Sequence, residues 1–199
     1  MRPAKGQRMK ISIILWCAWY VYWIVSARHR IRNTPDAPAK HESFAGRLVY
    51  MVILILGFVL LFGRVRMPYG QLRLWNASRI SDALGVSIQA IGLAFSVWAR
   101  RALGKNWSAR VTIGAKQELI VAGPYRIVRH PIYSGLLFAL IGTAIIAGNL
   151  NALVGFLLIL VSVLIKLGRE ESALRQHFGE AYADYARRVP ALVPGWPTA

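Results

Sequence analysis

The sequence predicts an all-α integral membrane protein of about five transmembrane helices, closed by a C-terminal amphipathic helix. Three observations carry that expectation. Hydrophobic residues form 56% of the chain, mean hydropathy is +0.42, and the apolar residues are gathered in long runs. Only 17% of residues are charged, where a soluble domain of this size has about 25%. The 25 Lys+Arg outnumber the 8 Asp+Glu, yet they sit between the apolar runs and not along one face. That distribution suits the phosphates of a membrane surface, with membrane lipids as partners and no nucleic acid. The length allows one membrane domain, 1–199, with N-terminal spans in 1–99.

Five apolar segments can be drawn, at 11–27, 48–63, 83–99, 132–148 and 152–168. Each approaches the roughly 17–25 residues that a helix needs to cross the hydrocarbon core. The first follows Arg2, Lys5, Arg8 and Lys10 and ends at Val25-Ser26-Ala27, a pattern shared with cleaved signal peptides. Its Trp16, Trp19, Tyr20, Tyr22 and Trp23 favour a retained span, because such aromatics belong near a membrane interface. A proline-bearing loop is expected at 33–39. The third segment is the weakest, since Ser87, Gln89 and Ser96 interrupt it; those groups suit a protein interior, and a four-span count is the alternative. Cys17 is the single cysteine and the four histidines are scattered, so a metal site is not expected.

The last two segments carry a geometric argument. Asn149-Leu150-Asn151 is too short for anything but a tight turn, so the helices run antiparallel. Folding about Leu150 brings His130 level with Glu170, and Arg129 level with Glu171. Gly135, Ala139 and Gly142 form a small-residue track that permits close backbone approach. Pro131 suits the first helical turn, with His130 at or near the N-cap and Tyr133 inside the turn. Free amides and the positive dipole end then offer an anchor for a carboxylate, which Arg126 and Arg129 reinforce unless they bind lipid phosphates. Glu170 and Glu171 lie at the hydrocarbon boundary, where carboxylates are costly unless partnered or functional. Beyond them Leu174, Phe178, Tyr182, Tyr185 and Val189 follow helical spacing, an amphipathic cap. An interfacial flank and a purely structural cap are the plain alternatives to a binding site.

Taken together, Leu103-Gly104-Lys105-Asn106-Trp107-Ser108, Glu118-Leu119-Ile120, the Gly123-Pro124-Tyr125 and Arg129-His130-Pro131-Ile132-Tyr133-Ser134-Gly135 stretches, Glu170-Glu171 and Phe178-Gly179-Glu180-Ala181-Tyr182 resemble the isoprenylcysteine carboxyl methyltransferase family, with related phospholipid N-methyltransferases. The resemblance covers about half of the chain, and it implies that 100–199 is a cofactor-binding, methyltransferase-like region. It implies an S-adenosyl-L-methionine site on the cytoplasmic side. Gln117, Glu118, Leu119, Ile120 and Tyr125 would line the adenosine. His130, Pro131, Ile132 and Tyr133 would hold the cofactor, and Glu170 would take its amino group. Lys166 falls where the prenylcysteine enzymes place a substrate-binding arginine, and it keeps the charge without the bidentate fork; Arg169 is the other source of that fork. Glu171 or His130 would serve as base for an amine acceptor, whereas an ionised carboxylate needs none.

The function implied is methyl transfer to a lipophilic or lipidated acceptor, isoprenylcysteine carboxylate-like or phospholipid-like, entering from the bilayer. An NADPH-dependent sterol-type reductase, which shares the Arg-His-Pro-x-Tyr element, and a non-catalytic membrane protein of the same architecture are the alternatives. The segments on the side of 28–47, 100–131 and the C-terminus hold seventeen Lys/Arg against eight on the other. That places the motif side in the cytoplasm, with a prokaryotic inner membrane expected.

Overall fold

A computed structural model of the chain describes residues 5–28, 44–63, 68–104 and 118–195. The expected loop at 33–39, Gln117 and the Lys105–Ser108 part of the first motif lie outside the described residues. The helices are α1 (Lys5–Arg28), α2 (Phe44–Phe62), α3 (Arg79–Leu103), α4 (Pro131–Ala147), α5 (Leu150–Phe178) and α6 (Glu180–Arg188), with a 3-10 turn at Gly123–Arg126 before α4. The protein is all-helical among the described residues, and Arg73 and Asn149 form an isolated β-bridge. Three helices are long and apolar enough to cross a membrane, Met9–Ser26, Arg79–Leu103 and Leu150–Phe178. Gly46–Phe62 and Pro131–Ala147 are shorter apolar helices, each about 25 Å long at 1.5 Å per residue.

The helices pack as two close pairs, α3 with α4 and α2 with α5. Small residues set both. A Cβ on Gly142 would lie 2.4 Å from the Gly85 carbonyl oxygen, and one on Gly135 would lie 2.6 Å from that of Gly92. The small-residue track of α4 is therefore used, but its partner is α3 and not the hairpin neighbour α5. In the second pair, a Cβ on Gly155 would lie 2.7 Å from the Gly57 oxygen. Backbones this close gain dispersion contacts, which drive association where lipid offers no hydrophobic gain.

The polar residues of α3 explain why this segment reads as the weakest span. Gln89, Ser96 and Arg100 are buried and bond α1 at three levels. Gln89 Nε2 donates to the Ser12 carbonyl at 2.9 Å, Trp19 Nε1 to Ser96 Oγ at 2.8 Å, and Arg100 Nη2 to the Ser26 carbonyl at 2.9 Å. Trp16 adds a bond to Thr143 of α4 at 3.0 Å. The tryptophans of α1 thus dock it on its neighbours, while Ile14, Tyr20 and Val21 remain exposed on its outer surface.

Gly148 caps α4 in the left-handed region (φ 61°), and Asn149 caps α5 by accepting from the Ala152 amide. That turn is strapped by the segment before α3: Leu74 N–H donates to the Gly148 carbonyl, Leu150 N–H to Leu72, and Asn151 N–H to Gly70. Trp75 Nε1 adds a bond to the Ile145 carbonyl at 3.1 Å. At the other end, α5 continues ten residues past the apolar run, to Phe178, because nothing breaks the helix before Gly179 (φ 55°). Glu170 and Glu171 are consequently carried on a rigid helix.

Candidate active site

Pro131 opens α4 and His130 is its N-cap residue, so imidazole and first helical turn face the end of α5. The folded-back hairpin brings residues about forty positions apart into contact. His130 Nε2 donates to Glu171 Oε1 at 2.6 Å, and Tyr133 OH donates to Glu170 Oε1 at 2.7 Å. Arg129 grips Glu171 with two bonds, Nε to Oε1 at 2.9 Å and Nη2 to Oε2 at 3.1 Å. Both levels expected from the sequence, 130 with 170 and 129 with 171, are therefore realised at one end of the bundle.

The two carboxylates differ in surroundings. Glu171 accepts from Arg129 twice, from His130, and from Tyr182 OH at 2.8 Å, with Arg175 Nη2 a further 3.9 Å away. Its oxygens are occupied by protein. Glu170 accepts from Tyr133, while His130 Nδ1 and Lys166 Nζ stand off at 3.8 and 3.9 Å. Lys166 also lies over the Tyr133 ring, 5.4 Å from its centroid. Arg169 stacks over Tyr50 of α2 at 5.3 Å. Lys166 therefore faces the Tyr133–Glu170 pair, and Arg169 packs on Tyr50.

The amphipathic stripe behaves as its spacing predicts. Tyr182, Tyr185 and Ala186 form a buried cluster with Leu119, Leu174, Phe178 and Val189. Tyr185 OH donates to the Tyr125 carbonyl at 2.6 Å, which fixes α6 to the 3-10 turn. Of the expected adenosine-lining residues, Leu119 and Ile120 are half-buried, Tyr125 is buried and Glu118 is exposed. Burial raises the Tyr125 phenol pKa, aided by Tyr185 and Glu170. Burial and then the bond to Glu171 raise that of Tyr182, so both phenols stay protonated and Tyr182 remains a donor. A hollow of about 450 Å³ opens beside them between Val121, Ala122, Arg126, Tyr185, Arg188 and Val189.

Two features escape a sequence reading. The segment after α6 runs back across the start of α4: the Arg129 amide donates to the Pro190 carbonyl, the His130 amide to Ala191, and Ser134 Oγ to Leu192. Arg129 Nη1 also ties the Ala186 and Val189 carbonyls at 3.0 and 2.6 Å. A buried arginine satisfied by backbone oxygens leaves no pattern in the chain, and neither does the hydroxyl of Tyr182, which reads as one more apolar stripe residue.

An all-helical membrane bundle whose polar cluster joins an Arg-His-Pro-x-Tyr turn to a Glu pair defines the class of protein. The phospholipid methyltransferase family model matches residues 80–181, just over half of the chain, and the protein belongs to that family. The match runs from the start of α3 to the start of α6 and encloses the cluster. Protein-S-isoprenylcysteine O-methyltransferase B of Arabidopsis thaliana is 33% identical over 46% of this chain and 48% of its own length. A probable protein-S-isoprenylcysteine O-methyltransferase of Oryza sativa subsp. japonica is 38% identical over 43% of this chain and 45% of its own. The chain thus spans about half the length of these relatives. Methanethiol S-methyltransferase of Mycobacterium tuberculosis (strain ATCC 25618 / H37Rv) is 27% identical over 96% of this chain and 80% of its own length.

Proposed function

We propose that this protein is an integral membrane S-adenosyl-L-methionine-dependent methyltransferase acting on a lipophilic acceptor at the cytoplasmic face of a prokaryotic inner membrane. The observation that carries the reading is the contact of the α4 N-terminus with the Glu pair of α5, inside the stretch that the family model matches. The residues fit the cofactor. An amino acid moiety needs a donor site for its carboxylate and an anion for its ammonium. The first-turn amides of Ile132 and Tyr133, for which helix geometry supplies no partner, suit the former. Glu170, which takes one close bond from Tyr133 where Glu171 takes four, and has His130 and Lys166 only at 3.8 and 3.9 Å, suits the latter. The half-buried Leu119 and Ile120 with Tyr125 give an apolar flank for the adenosine.

When bound, the cofactor supplies an electrophilic methyl group on a sulfonium. The chain's own work is positioning: a rigid helix end and a filled second carboxylate hold Glu170 and His130 in place, and apolar helices keep water away. Lys166, cationic and half-buried beside Glu170, would draw the anionic head of an acceptor whose apolar body stays among the spans. Glu171 serves as the clamp of His130 and not as a proton acceptor, because its oxygens already take four bonds. Arg169, turned towards Tyr50, supports the α2 side of the acceptor path.

Isothermal calorimetry on the full chain in detergent tests this reading. S-adenosyl-L-methionine should bind and NADPH should not, and Glu170→Ala should abolish the binding. Unchanged affinity in that variant would overturn the assignment. Labelled cofactor incubated with a lipid extract then identifies the methylated product.

A further inference from the structure

The opposite end of the bundle holds a second feature, independent of the methyltransferase reading. A cavity of about 790 Å³ opens between α1, the end of α2, the end of α4 and the strap before α3. Its walls are chemically divided. Ile13, two turns into α1, makes an apolar part with Leu60 and Ile146, while the exposed Gln71 and Arg73 belong to the strap outside the helices, beside Asn149 of the turn. Arg73 is the one charged group among the described lining residues, and it has no acidic neighbour there. Its Nη1 is anchored on the Ala147 carbonyl at 3.3 Å, which holds the guanidinium at the rim. The same strap exposes Tyr69 and Trp75, the residue types that settle at the headgroup level of a bilayer.

We propose that this cavity binds one anionic phospholipid, with its phosphate on Arg73 and an acyl chain against Ile13 and Leu60. The polarity of the cavity runs as a lipid's does, cation at the water boundary and hydrocarbon below. An arginine with no acidic residue among the described lining to neutralise it selects a phosphate, for which its planar fork is suited. The volume falls in the range of about 300–1,000 Å³ usual for ligand sites, enough for a headgroup and part of a chain.

Native mass spectrometry of the full chain released from detergent tests it, with dioleoylphosphatidylglycerol, dioleoylphosphatidylcholine and inorganic phosphate as probes. The phosphatidylglycerol should remain as a single bound copy at a level about tenfold above phosphatidylcholine, and a tenfold excess of inorganic phosphate should leave it bound. Arg73→Ala should cut retention at least fivefold, and Arg73→Lys should keep most of it. Ile13→Trp, which fills the apolar part without touching the rim, should lower retention of both lipids. Arg187→Ala, on α6 at the other face, should change nothing. Displacement by phosphate would make the site one for a free anion and overturn the proposal. Retention in Arg73→Ala and Ile13→Trp equal to that of the unaltered protein, with circular dichroism showing each variant folded, would overturn it too.

Discussion

Replacing Arg129 with alanine should detach the C-terminal cap while leaving the spans folded. The side chain is 7% exposed and makes four hydrogen bonds, two to Glu171 and one each to the Ala186 and Val189 carbonyls. Its loss leaves Glu171 with His130 and Tyr182 as donors and strips the last turn of α6 of its anchor. Breaking a buried pair from one side costs about 3–5 kcal/mol. Glu171 is 14% exposed, which favours the lower end, about 3 kcal/mol, or a factor of about 10² in an opening equilibrium at 1.4 kcal/mol per tenfold. The readout is amide hydrogen exchange by mass spectrometry in detergent. Peptides over 180–192 should lose protection about 100-fold, while those over 83–99 and 132–148 keep theirs. Arg129→Lys should fall between, since the charge remains and the fork is lost. Unchanged exchange over 180–192, or a loss spread evenly over all helices, would refute the reasoning.

The small-residue contacts predict a contrast between two glycines. Gly142→Ala puts a Cβ 2.4 Å from the Gly85 carbonyl oxygen, so thermal unfolding should shift by the roughly 1–3 kcal/mol of an overpacked core; Gly168→Ala, where nothing lies within 4 Å, should be neutral or stabilising by about 0.4–1 kcal/mol. Alkaline pH should also weaken the cap. Burial is the first cause of the raised pKa of Tyr125, Tyr182 and Tyr185, so the folded state holds these protons more tightly than the unfolded one. Their contribution is complete below the ordinary phenol pKa of about 10 and drains as pH rises towards the folded values. Melting temperature against pH should fall above that point, less steeply in Tyr182→Phe.

Much of the bundle is legible in the chain because lipid imposes a simple rule: a spanning segment satisfies its own backbone and shows apolar side chains. The five segments lie inside α1 to α5 for that reason, overhanging by one residue only at 63 and 148. The tight 149–151 turn then fixes which residues share a level, so His130 and Glu170 can be placed together before any coordinates. What periodicity cannot say is which neighbour a helix prefers. Gly135 and Gly142 announce close approach but not its partner, and α3 wins because Gly85 and Gly92 offer matching gaps. The length of α5 is hidden for a related reason. Its charged continuation looks like a loop after an apolar run, although Arg169 to His177 contains no residue that stops a helix. The strap at 69–76 and the return of 190–192 over α4 rest on backbone bonds, which side-chain patterns do not record.

The adjacent carboxylates lead to the sharpest expectation. Successive residues of an α-helix point about 100° apart, so Glu170 and Glu171 cannot serve one ligand equally. Glu171 faces Arg129, His130 and Tyr182, and its charge is consumed in joining α4, α5 and α6. Glu170 faces Tyr133 and Lys166. Near-isosteric amides separate the roles. Glu171→Gln would set an NH2 group against the N–H donors it now accepts, so it should lower the unfolding temperature and loosen α6, with cofactor affinity falling as a consequence. Glu170→Gln should leave the unfolding temperature of the free protein within about 2 °C, an effect of under 0.5 kcal/mol, and yet weaken S-adenosyl-L-methionine binding at least tenfold, because a neutral amide does not hold an ammonium. Thermal unfolding and calorimetry on the two variants decide it. Two variants with the same unfolding temperature and the same affinity would mean that the helix presents both groups alike, and the division of labour drawn from their hydrogen bonds would be wrong.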